Sequence, residues 1–162
     1  MRTEIIALSL NITRFILLGT ILALTWSSAV GAEFSAGVAA YKRGDFAAAI
    51  EVFSELAAQG DARAQFALGL LHDNGEGVEA DRARAVSWYT KSAEQGYAKA
   101  QYNLALLYQD GEASIVDDAL ARTWLIRAAE SGNADGVARL RDYAEAGDGI
   151  AQFRLGAMYY HA

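Results

Sequence analysis

His72 and His161 are the only histidines in the 162 residues, and the chain contains no cysteine. A protein zinc site needs several nitrogen or sulfur ligands at short spacing, and two distant imidazoles do not supply it. The stretch Asp73-Asn74-Gly75-Glu76-Gly77 begins like a calcium loop, but the ladder of oxygen ligands and the closing glutamate are missing. Asp117-Asp118 is the other acidic cluster, and both read as helix caps. Gly75-x-Gly77 follows a helical pattern rather than a strand, so it is not a phosphate cradle. The serines lack the Gly-x-Ser-x-Gly setting of an exposed nucleophile. Trp88 and Trp124 with the tyrosines could stack on a sugar, but their spacing is that of packing residues. No catalytic residue, metal ligand or cofactor site is therefore expected.

What would position such residues is a repeat. Residues 57–92 laid over 93–128 give 15 identities in 36 ungapped positions. The shared residues include Gly60, Ala64, Gln65, Leu68, Leu71, Gly75, Asp81, Ala85 and Trp88. Ala64, Leu68 and Leu71 follow the i, i+4, i+7 spacing of one apolar helix stripe. Ala85 and Trp88 begin a second such stripe. Gly60, Gly96 and Gly132 stand where a left-handed residue ends a helix, and Gly75 and Gly111 end the first helix of each unit. Asp61, Asp81, Asp117 and Asn133 stand where caps should accept free amides. A period in the thirties denotes stacked helix hairpins. The expectation is all-α: an α-α superhelix of antiparallel hairpins, eight helices in four pairs. The units run over about 33–56, 57–92, 93–128 and 129–162. Only a short interval separates Gly132 from Gly147, where the first-helix pattern restarts, so a second helix is skipped there.

The front of the chain reads differently. Arg2 and Arg14 precede an apolar run from Phe15 to Trp26, and small residues follow up to Ala32. That order is the pattern of a secretory signal peptide cleaved after Ala32, giving a periplasmic or secreted domain of residues 33–162. Contact with the membrane would then be transient, through the signal segment alone. The competing expectation is an inner-membrane anchor across residues 5–26, which would bury Arg14 at high cost in lipid. Without cysteine, neither a disulfide nor a thioether-linked lipid can form. From Glu33 onward 12 basic residues stand against 19 acidic ones, a net charge of −7. That balance disfavours nucleic acid and anionic lipid as partners.

The run A-x-Q-G-x-A-x-A-Q-[FY]-x-L-G-x-[LM], then G-x-G-V-x-x-D, then A-x-x-W-Y-x-K-x-A-E-Q-G resembles the Sel1-like repeat family. Gly60, Ala64, Gln65, Leu68, Gly69, Gly75, Gly77, Val78, Asp81, Ala85, Trp88, Tyr89, Ala93 and Gly96 carry the resemblance. It implies a solenoid related to tetratricopeptide arrays that serves as a scaffold for protein–protein contacts. In bacteria it implies export and a role in envelope assembly or host interaction. The second copy departs from the pattern at Ala105, Ala113 and Ser114, which replace Gly69, Gly77 and Val78 and put its helix spacing in question.

The residues that change between copies point to a surface. Arg63, Ala67, Leu70 and Asn74 form one stripe of a first helix; Lys99, Asn103, Leu106 and Asp110 form it in the next copy. Asp135, Arg139, Asp142 and Ala146 follow in the third. First helices line the concave side of stacked hairpins, so this stripe, flanked by Phe66 and Tyr102, is the expected binding groove for a protein or peptide. The alternative function is an envelope enzyme or ligand-binding protein acting on peptidoglycan or a related glycan. The last helix carries Phe153, Leu155, Met158, Tyr159 and Tyr160 with nothing after it. Either it turns inward to close the last hairpin, or it leaves an apolar edge that pairs two copies weakly.

Overall fold

A computed structural model describes residues 31–109 and 117–160. Residues 1–30 of the segment expected to be a signal peptide (1–32), and Asp110, Gly111, Ala113, Ser114 and His161, lie outside the described residues. Within them the chain forms eight helices and no strand. These are α1 (31–42), α2 (Phe46–Ala58), α3 (Ala62–Asn74), α4 (Arg82–Glu94), α5 (Ala98–Gln109), α6 (Asp118–Glu130), α7 (Ala134–Glu145) and α8 (Gly149–Tyr160). Each packs mainly on its neighbours in sequence, as expected of a stacked array.

Two kinds of connection occur. The tight one ends a helix at a glycine of positive φ: Gly44, Gly60, Gly96, Gly132 and Gly147. At each, the next residue's N–H reaches back to the final turn, as from Asp61 to the Leu56 carbonyl at 3.0 Å. This closes carbonyls that a helix end otherwise leaves open. The longer connection follows α3. There the Asp81 N–H donates to the His72 carbonyl at 2.8 Å, and Asp117 makes the same bond to Tyr108 at 3.2 Å. His72 thus shares a backbone role with the tyrosine it aligns with. Asp61, Asp81, Asp117 and Asn133 each cap the helix that follows. At Gly77 (φ 74°) an added Cβ would sit 2.4 Å from Phe46 Cβ, so this loop lies against α2 only because the residue has no side chain.

Inside the hairpins the central contact sets an aromatic ring on a helical glycine. A Cβ on Gly37 of α1 would meet the Phe53 ring of α2 at 2.6 Å. A Cβ on Gly69 of α3 would meet the Tyr89 ring of α4 at 2.5 Å, and that ring is fully buried. In the next hairpin the pair becomes Ala105 and Leu125, both buried in one cluster. The smaller side chain makes room for the extra methyl. The change from Gly69 to Ala105, which raises doubt in the sequence, is thus half of a volume exchange across the hairpin.

Ala151 and Leu155 of α8 turn inward with Met158 against a cluster built on Ile126, Ala129 and Leu140. Phe153, Tyr159 and Tyr160 stay exposed. The last helix thus closes its hairpin with one face and leaves the other apolar. No described helix is long and apolar enough to cross a membrane.

Candidate interaction surface

The stripe residues fall into three places. Arg63, Ala67 and Leu70, with Phe66, line an open hollow of about 250 Å³. Phe34, Val38 and Tyr41 of α1 form its opposite wall, and Tyr97 and Lys99 at the start of α5 complete it. The rings are interlocked: Phe66 lies 5.2 Å from Tyr97 and 5.7 Å from Tyr89, centroid to centroid. Burial pushes the Tyr97 phenol above its ordinary pKa, so it stays a neutral donor at neutral pH.

Two cations stand at this hollow in different states. The Arg63 guanidinium lies 4.5 Å above the Phe34 ring and pairs with Asp61 at 2.5 Å. Burial pushes the Asp61 carboxyl up, but the Arg63 hydrogen bond and the amides of Ala64 and Arg63 outweigh it and hold the group below the usual carboxylate range. Its charge is therefore fixed, and Arg63 is largely neutralised. Lys99 is exposed and has no carboxylate within ion-pair distance among the described residues. Of the two, it is the cation left to act on something else.

Asn74 sits at the far end of α3 and donates to Glu76 at 3.3 Å. Tyr102 is half-buried against the central cluster of α4, α5 and α6, and Leu106 is half-buried on the same helix. Asn103 is turned inward and serves the fold. Its amide donates to the Tyr89 hydroxyl at 3.2 Å, and that hydroxyl donates to Asp73 at 3.5 Å. Arg139 lines a separate shallow recess of about 290 Å³ with Gln109, Asp142, Tyr143 and Ala146, and it donates to Gln109 at 3.1 Å. The structure thus brings Arg63, Phe66, Leu70 and Lys99 together. Arg139 stands apart from them, and Asp110 lies outside the described residues.

Sequence reasoning gave Gln65 and its repeat partner no role. Gln65 donates to the Ala57 carbonyl across the glycine turn at 3.3 Å, Gln101 to Ala93 at 3.1 Å, and Gln152 to Ala144 at 2.8 Å. Each fastens the start of one helix to the end of the preceding one. The constant spacing of eight residues was the signal available. Trp88, read as central, is half-buried with Lys91 4.2 Å above its ring, and Arg127 stands over Trp124 in the same way at 4.8 Å. The described residues hold no cluster of three or more metal-binding side chains.

The sequence profile of the Sel1 repeat matches residues 62–97, 98–133 and 149–162, more than half of the chain. The chain belongs to the Sel1 repeat family. The third match begins at α8, so the last helix is the first helix of a further Sel1 unit and α7 is inserted before it. A Sel1 repeat protein from Oxalobacter formigenes superposes with a TM-score of 0.65 at 35% identity, over 68% of this chain and 46% of its own. A protective antigen of uropathogenic Escherichia coli strains, displaying an SLR fold, does so with a TM-score of 0.59 at 33% identity. That match covers 66% of this chain and 23% of the antigen. The chain spans less than half the length of either structure. No curated protein sequence matches it. Sel1 repeats are scaffolds that generally bind other proteins, and they are typically non-enzymatic.

Proposed function

We propose that this chain is an exported Sel1 scaffold that captures a protein or peptide in the hollow where α1, α3 and the start of α5 meet. One observation carries the reading: an apolar hollow walled by Phe34, Val38, Tyr41, Phe66 and Leu70 has the unpaired cation Lys99 at its edge. Such a site suits a bulky apolar anchor followed by an acidic group, because the anchor is desolvated while the charge stays near the rim. Export rests on the charged, apolar and small-residue order of residues 2–32.

The test is affinity capture from an envelope extract with the wild-type chain, Lys99→Glu and Ala67→Tyr. The first variant reverses the rim charge and the second fills the hollow. Both should lose the captured protein while their helical circular dichroism and melting temperatures stay within about 2 °C of wild type, the range of a surface change. Equal capture by all three would refute the groove. Heat of binding to cell-wall fragments with no protein captured would favour a glycan ligand instead.

A further inference from the structure

We propose that α8 pairs with α8 of a second copy in an antiparallel, two-fold arrangement. Four of the five large apolar side chains exposed among the described residues lie on this helix: Ile150, Phe153, Tyr159 and Tyr160. Phe153 is 72% exposed and Tyr160 87%. Gly149, Phe153, Gly156 and Tyr160 are spaced i, i+4, i+7 and i+11, so they form one stripe of alternating holes and knobs. An added Cβ on Gly149 or Gly156 would meet nothing within 4 Å. Both holes are open.

The fold itself shows what fills such a hole. Gly156 holds the repeat position of Gly69, and at Gly37 and Gly69 an aromatic ring lies where a Cβ would be. No described helix follows α8 to place a ring on Gly156. A second α8 can do so. When two copies run antiparallel about an axis midway between Phe153 and Gly156, each Phe153 faces the other copy's Gly156. The same axis sets each Tyr160 opposite a Gly149. A parallel pair would set ring on ring and glycine on glycine, leaving both mismatched. Charge does not oppose the contact: Arg154, the only charged side chain on α8, is paired with Glu130 at 3.3 Å. Arg141 donates to the Tyr159 hydroxyl at 3.0 Å, which satisfies that group beside the stripe. An isologous patch of two helices is smaller than the ~1,200 Å² of standard interfaces, so the dimer is a weak one. The groove reading plays no part in this inference.

Sedimentation equilibrium of the purified chain should show a monomer–dimer equilibrium. Gly156→Leu should raise the dissociation constant by at least about tenfold, because the new side chain occupies the place of the incoming ring. Its melting temperature should not fall, since the position is open and leucine is the better helix former. Because the chain lacks cysteine, Gly149→Cys provides a single thiol. In the antiparallel pair two such thiols stand roughly 16 Å apart along the axis, too far to bridge, so no self-linked dimer should form on oxidation. Mixed with Tyr160→Cys it should give the crossed disulfide. A wild-type monomer, a dimer that survives Gly156→Leu, or rapid self-linking of Gly149→Cys would overturn the proposal.

Discussion

Replacing Gly69 with alanine should destabilise the wild-type protein and stabilise one that already carries Tyr89→Leu. The Cβ added at Gly69 lies 2.5 Å from both Cδ1 and Cε1 of Tyr89 and 3.2 Å from Cγ. Carbon atoms in contact prefer about 3.5–4.0 Å, so ring or helix must give by roughly 1 Å. The ring cannot swing away easily, because Tyr89 is 0% exposed and its hydroxyl is held between Asp73 and Asn103. Overpacking of this kind costs about 1–3 kcal/mol, and a rigid ring met by its near atoms belongs in the upper half of that range. Alanine returns about 1 kcal/mol of helix propensity, leaving a net loss of about 1–2 kcal/mol. With leucine at position 89 the clash disappears and only the gain of about 1 kcal/mol remains. The coupling between the two changes is then about 2–3 kcal/mol, large for a pair of neighbours but within the measured range. Urea denaturation followed by circular dichroism on the wild type, the two single variants and the double variant measures it. Equal effects of Gly69→Ala in both backgrounds, to within about 0.5 kcal/mol, would refute the volume exchange.

Ser131→Gln should stabilise the protein by about 1 kcal/mol and raise its melting temperature by about 4 °C, because Gln101 Oε1 is buried without a hydrogen-bond partner. The equivalent oxygen of Gln65 accepts from Gln95 at 2.8 Å, and Ser131 occupies the place of Gln95 one unit later; an unchanged melting curve would count against this. Asp61→Asn should flatten the acid limb of stability while keeping the helix cap. A carboxyl held low in the folded state adds stability above its unfolded pKa of about 4, and that stability fades as the pH falls through the folded value. Melting temperatures between about pH 5 and about pH 2 should therefore fall less in Asp61→Asn than in the wild type, and parallel curves would argue against the Arg63 pairing.

The features legible in the sequence are those that every unit needs in the same form. The glycines of the tight turns, the aspartate caps and the Ala64-Leu68-Leu71 stripe each satisfy a local rule, so two copies suffice to expose them. Tyr89 was not legible as the centre of its hairpin, because its counterpart is Leu125 and a comparison of copies discards what differs. The compensating change at Gly69 lies on another helix, at a separation that no helical period encodes. The glutamine fasteners escaped for a related reason: their acceptor lies across a turn, where spacing along one helix gives no guide. Asn103 shared the variable stripe's spacing, but spacing fixes only a side chain's direction, and the polar end of Tyr89 drew the amide inward. For the candidate groove, the stripe located Arg63, Leu70 and Lys99. The wall formed by Phe34, Val38 and Tyr41 comes from a hairpin whose shorter turn breaks the register, so alignment to the other copies could not supply it.

The ring-on-glycine pair always joins the two helices of one hairpin and never two different hairpins: Gly37 with Phe53, Gly69 with Tyr89. The bulk exchanged between those two positions is therefore settled inside a unit. The seams between units share a glycine turn and, at most seams, a glutamine reaching back over it. A chain cut and rejoined at those seams exchanges finished parts, and lengthening or shuffling such an array does not require its interior to be composed anew.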